Sequence, residues 1–160
     1  MAIVSLVIAG ALIAVDQIIK MVVTNVLQPV GTVPVIPGLL DFTYVKNYGA
    51  AFGMMSGQTW IIVIVTGLLS ALLIAALFFY KRHTWLSYAA CILILAGGIG
   101  NLIDRVANPG NFVTDYIHVS FFPPVFNFAD ILVVVGAGLL VVYLFFFYGK
   151  KENPRKKAKG

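Results

Sequence analysis

Residues 126–142 read FNFADILVVVGAGLLVV, apolar for the length of a helix yet opening on an amide, Asn127, and a carboxylate, Asp130, three residues apart. The length of the run decides the environment. Helical spans need roughly 18 to 20 apolar residues to cross a bilayer, and four runs approach or exceed this: about Ala2 to Val23, Trp60 to Tyr80, Trp85 to Ile103 and Phe126 to Tyr148. With 61% hydrophobic and 11% charged residues and a mean hydropathy of +0.98, a chain of 160 residues carries more apolar surface than a soluble domain of this size can hide. The expected architecture is an all-α polytopic membrane protein: four transmembrane helices with a small extracytoplasmic β platform. It reads as one domain over residues 1–149, with an outer β loop at about 24–59 and a basic cytoplasmic tail at 150–160.

Cations set the orientation, because Lys and Arg are retained on the cytoplasmic side of a membrane. Lys81 and Arg82 lie between the second and third runs, and Lys150, Lys151, Arg155, Lys156, Lys157 and Lys159 form the tail. Four spans put both groups and both termini in the cytoplasm. The net charge of +5 then reflects topology and attraction to anionic lipid rather than nucleic-acid binding. The first run has no Lys or Arg ahead of it and carries Asp16 and Lys20, so it is read as a retained helix, not a removed secretory signal. In the outer loop, PVGTVPVIPGLLDFTYV sets β-branched and aromatic residues between Pro and Gly, which predicts short strands. The other outer segment, about Val106 to Val125, reads as a loop.

All five aspartates map to the outer side: Asp16, Asp41, Asp104, Asp115 and Asp130. An ionisable group at membrane depth costs roughly 2.5 to 3.5 kcal/mol, so it tends to be paired or functional. Several of them have a plain structural reading. Asn127 and Asp130 fit the N-cap and N3 positions of a capping box; Asp16 and Lys20 stand at the i, i+4 spacing of a helical ion pair; Asp115 suits an Asx turn. In GGIGNLIDR, residues 97–105, the glycines suit a close helix contact, Asn101 and Asp104 share a face, and Arg105 can snorkel to headgroups or orient a polar partner. Gly49, Gly53 and Gly57 suggest close packing after Asn47, and His118 reads as a surface residue. None of these readings explains why so many polar groups gather on one side.

Hydrolysis at a membrane would need a nucleophile with a base, a metal, or two carboxyl groups. No HExxH occurs, the two histidines, His83 and His118, fall on opposite sides, and the single Cys91 lies mid-helix without a visible base. GxSxG and GxGD are absent too. Carboxylates remain. Two close together share one proton, leaving one as base and one as acid. Asp115 and Asp130 suit this, one on the second outer segment and one on the helix it enters, with Asp104 as the rival partner.

DQIIK (16–20), NYGAAF (47–52), GGIGNLIDR (97–105), VTDYI (113–117) and FNFAD (126–130), in this order on four spans, resemble lipoprotein signal peptidase, the bacterial type II signal peptidase family. That resemblance implies an aspartic endopeptidase of the bacterial cytoplasmic (inner) membrane, working at its extracytoplasmic face without a cofactor or metal. It implies removal of signal peptides from prolipoproteins just before a diacylglyceryl-modified Cys, and inhibition by globomycin-type compounds. Asp115 and Asp130 would be the dyad; Asn47, Asn101, Arg105 and Asn127 would line or brace the site; Asp16, Lys20 and Asp104 would hold it together. Activity as a monomer, in contact with membrane lipid, is expected. The competing expectations are a small proton-coupled transporter subunit and a non-enzymatic membrane scaffold.

Overall fold

Each apolar run forms a helix, and the computed structural model describes residues 1–49 and 58–148. The helices are α1 (Ala2–Leu27), α2 (Thr59–Phe79), α3 (Trp85–Ala107) and α4 (Phe128–Tyr143), the last continued by a π-helical turn over Leu144–Tyr148. All four are long and apolar enough to cross a membrane. Gly53, Gly57 and the basic tail lie outside the described residues.

Burial is uneven around the bundle, as expected where lipid is the outer solvent. α3 lies at its centre: Leu86, Ala90, Cys91, Leu95 and Ala96 are buried on it, whereas α2 buries only Ser70 and Leu77. Ala9 of α1, Leu77 and Leu132 of α4 complete the core around Cys91, Leu95 and Ala96. Glycines, Gly97 among them, permit the close approach of α3 to its neighbours. A Cβ on Gly100 would stand 2.6 Å from Asp16 Oδ2, and one on Gly136 would stand 2.9 Å from the Ile94 nitrogen.

At one end of the bundle sits a four-stranded antiparallel sheet, β1 (Thr32–Ile36), β2 (Leu40–Asn47), β3 (Val113–Val119) and β4 (Phe122–Phe126), in spatial order β1-β2-β3-β4. The predicted platform is there, but the loop assignment for 106–125 is corrected, because this segment supplies half of the sheet. VTDYIHV has the β-branched and aromatic content of a strand; its pairing partner, β2, is remote in sequence. Pro123 and Pro124 sit in the edge strand β4, where a missing N–H is tolerated. The NPGN stretch turns the chain from α3 into β3. Asn111 takes a left-handed φ of 61°, and its side-chain amide donates to the Arg105 carbonyl at 2.7 Å, capping the helix end.

The opposite end is closed by side chains from the α2–α3 connection. Thr84 and Ser87 form a reciprocal capping box at the start of α3. His83 stacks on Tyr88 and lies 3.0 Å from both Ser87 Oγ and the Ala76 carbonyl oxygen. Tyr143 of α4 donates to the Arg82 carbonyl at 3.1 Å.

Candidate active site

The site is built on the first turn of α4. Asn127 is the N-cap and Asp130 the N3 residue of a capping box, as their spacing predicts: Asn127 Oδ1 accepts from the Asp130 N–H at 3.0 Å, and Asp130 Oδ2 accepts from the Asn127 N–H at 3.1 Å. A cap needs only the oxygen of the Asn127 side chain. Its amide nitrogen points away and donates to Asp115 Oδ1 at 2.6 Å and to Asn101 Oδ1 at 3.1 Å. Asn127 is fully buried, so both ends of its amide are committed inside the protein.

Asp115 is a strand residue, not the Asx-turn residue expected, and the antiparallel register places it opposite Val45 on β2. At the end of the same strand pair, Asn47 donates to Asp115 Oδ2 at 2.9 Å, while Asn47 Oδ1 accepts from the Gly49 N–H at 2.9 Å. Both Asp115 oxygens thus take an amide N–H. The carboxyl is only 2% exposed. Its pKa is pushed up to about 7, by burial first and by the Asp130 carboxylate next, against the opposing pull of the Asn47 and Asn127 amides and of Lys20. Asp130 is half-buried and accepts a second bond on Oδ1, from Asn101 Nδ2 at 2.8 Å.

Beneath these groups lies a buried ionic cluster. The i, i+4 pair forms as expected, with Lys20 Nζ 2.9 Å from Asp16 Oδ2, and the same ammonium reaches Asp104 Oδ2 at 3.1 Å and Asn101 Oδ1 at 2.9 Å. Asp104 also accepts the Thr114 N–H at 3.0 Å, tying α3 to β3 beside Asp115. The rival carboxylate is therefore occupied by a cation, a backbone amide and Gln17. Gln17, which the sequence reading did not single out, places its amide nitrogen 3.1 Å from Asp104 Oδ1 and 3.1 Å from the Gly100 carbonyl. A polar amide inside a span has to find partners in the protein, and that rule was the available signal for it. Tyr116 was missed as well: its hydroxyl accepts the Phe128 N–H at 3.2 Å, and burial first pushes its pKa up to about 12.

Arg105 takes the inward of its two readings. It does not snorkel outward: it is 7% exposed and donates to the Asn101 carbonyl at 3.1 Å and to the Gly49 carbonyl at 2.9 Å. The helix turn before it and the chain after β2 supply these acceptors, so the guanidinium is drawn inward. His118 lies on β3 opposite Asp41, with Nδ1 3.4 Å from Asp41 Oδ2, away from this cluster.

Asn47, Asn101, Arg105, Asp115 and Asp130 form the polar end of a cavity of about 560 Å³. Its remaining wall is apolar, from Phe121, Phe122, Val125 and Phe126 of the β3–β4 hairpin to Ile131 and Val134 of α4. The size is that of a small-molecule or side-chain site, and the chemistry is that of a greasy slot ending on two carboxyl groups. Among the described residues, the carboxylates of Asp16, Asp104, Asp115 and Asp130 face the cations Lys20 and Arg105. That imbalance favours a bound proton on one of the two carboxyls that line the cavity.

Residues 8–146 match the family model described as signal peptidase (SPase) II. The chain is similar to the lipoprotein signal peptidase of Caldanaerobacter subterraneus subsp. tengcongensis, 39% identical over 145 residues, which cover 91% of this chain and 97% of that protein. It is also similar to the lipoprotein signal peptidase of Clostridioides difficile, 41% identical over 142 residues, covering 88% of this chain and 94% of that one. Among solved structures, a bacterial membrane enzyme determined by the in meso method at 2.3 Å superposes with a TM-score of 0.82 at 29% identity, covering 94% of this chain and 92% of the other.

Proposed function

This chain belongs to the signal peptidase II family, and from that membership, which implies a peptidase, we propose that it cleaves signal peptides from diacylglyceryl-modified prolipoproteins just before the lipidated Cys, with Asp115 and Asp130 as an aspartic dyad. The observation that carries the reading is the joint placement of these carboxyls, one from a strand and one from a helix, at the polar end of one apolar cavity.

In this mechanism the ionised carboxyl takes a proton from a water molecule as its oxygen attacks the scissile carbonyl. The neutral carboxyl hydrogen-bonds the developing oxyanion and then passes its proton to the leaving amine as the C–N bond breaks. Each carboxylate oxygen already accepts one N–H, so the pair is oriented before substrate arrives. The apolar wall gives the acyl chains and the flanking peptide a water-poor surface. The site lies at the sheet end of the helices, so a scissile bond presented at the bilayer surface can reach it together with water. Placement of this end outside the cytoplasmic membrane, with both termini cytoplasmic, rests on the distribution of Lys and Arg. Residues 1–149 would act as one peptidase unit.

The test uses the purified protein with matched prolipopeptides, with and without the diacylglyceryl group, and product masses as the readout. The reading predicts a single cut before the lipidated Cys, insensitive to EDTA. Equal cleavage of both peptides, or none of either, would contradict it.

A further inference from the structure

An asparagine side chain has one donor end and one acceptor end of nearly identical shape, so its orientation is decided by its partners. Three asparagines surround the two carboxyls, and each turns its nitrogen toward one of them. For Asn47 the acceptor end is taken by the Gly49 N–H, and for Asn127 by the Asp130 N–H. Backbone groups that cannot leave fix both. Asn101 differs, because the donors on its Oδ1 are side chains: the Lys20 ammonium at 2.9 Å and the neutral Asn127 amide at 3.1 Å.

An ammonium has three donors and no acceptor. On Lys20 they point to Asp16, Asp104 and Asn101, and the residue is 4% exposed, so none is left for water. A flipped Asn101 would aim N–H at the ammonium and its carbonyl oxygen at Asp130. We infer that Lys20 is a positioning residue for the hydrolysis: its ammonium holds the Asn101 amide so that Nδ2, not Oδ1, faces the Asp130 carboxylate. The ion pair with Asp16 would by itself need only one of the three protons; the third reaches the site through Asn101. This inference rests on the reading of Asp115 and Asp130 as the dyad.

Arg105 on α3 and Asp115 and Tyr116 on β3 also face Asp130, while Asp16 on α1 and Asp104 on α3 face Lys20. Removal of Lys20 changes the charge around them as well as the hydrogen bond. The variant pair Lys20→Met and Lys20→Met/Asp16→Asn separates the two effects, because the double variant removes one charge of each sign and restores the net charge of the cluster.

The experiment measures kcat and KM across pH for both variants and for Asp130→Asn, on a diacylglyceryl prolipopeptide, with thermal unfolding as the check on folding. Loss of amide orientation predicts that the folded double variant keeps KM within about twofold, loses kcat by about tenfold or more, and shows an acid limb of the kcat profile moved up by about one pH unit. Return of kcat and the acid limb to wild-type values in the double variant would make Lys20 a charge-balancing residue and overturn the inference. Failure of the double variant to fold would make it structural and overturn it equally. Wild-type cleavage by Asp130→Asn would instead remove the dyad, and the inference with it.

Discussion

Among the described residues stand two reciprocal capping boxes, at opposite ends of the bundle, and they do different work. At the start of α3, Thr84 and Ser87 satisfy each other's backbone, and the spare capacity of Ser87 goes to Thr84 O and His83. At the start of α4, Asn127 and Asp130 close the same local ring, but the spare capacity goes outward, to Asp115, Asn101 and the cavity. The motif is the same; the difference lies in what the second end of each side chain touches. A capping box thus anchors a cavity-lining carboxyl when its N3 residue is an Asp and its cap has an amide to spare.

The largest effect that would sharpen this comparison comes from the N3 residues. Asp130→Asn is expected to fold and to lose turnover by about 10³-fold or more, whereas Ser87→Ala should lose stability alone, by about 1 kcal/mol. A Ser87 variant with equally damaged turnover would erase the distinction between the boxes. The caps themselves come next. Asn127→Ser keeps a capping oxygen and removes the amide that Asp115 accepts from; turnover should fall about a hundredfold with a stability loss of about 1 kcal/mol. Thr84→Ala should show a comparable loss of stability at full turnover, and thermal unfolding beside the cleavage assay reads both.

A third effect is a pH slope. The folded-state pKa of Asp115 is raised from 3.8 to about 7, so between those values the folded chain holds a proton that the unfolded chain has released. The wild type therefore loses stability as pH rises through this window, and the loss is complete above the folded pKa. Compared with Asp115→Asn, which has no such proton, the wild type should be relatively less stable at pH 8 than at pH 4.5. A difference independent of pH would mean that Asp115 is not the group so perturbed.

What the sequence disclosed follows from range. The Asn127–Asp130 box and the Asp16–Lys20 pair are legible because i, i+3 and i, i+4 spacings fix geometry within one helix. The four spans are legible because bilayer thickness sets their length. β3 was not, since a short strand is stabilised by a partner remote in the chain, and the register that puts Asp115 near Asn47 is a property of the pair. Arg105 stayed open between two readings for a related reason: its acceptors, Gly49 O and Asn101 O, come from two elements, and a basic residue at a helix end can equally snorkel. Gln17 stands inside the DQIIK motif, yet its role appears only when α1 and α3 are brought together at Gly100.

In the proposed mechanism two carboxyls share the work, one ionised and one protonated. The pH dependence of kcat/KM from pH 4 to 10 on a diacylglyceryl prolipopeptide tests this most directly, because it reports the groups that must be charged and those that must be neutral in the free enzyme. Two coupled carboxyls give a bell whose apparent values belong to the pair, with an alkaline limb near pH 7, where the second proton of the pair is lost. A rate that rises to a plateau and stays level to pH 10 would contradict it, since no neutral carboxyl would then be required.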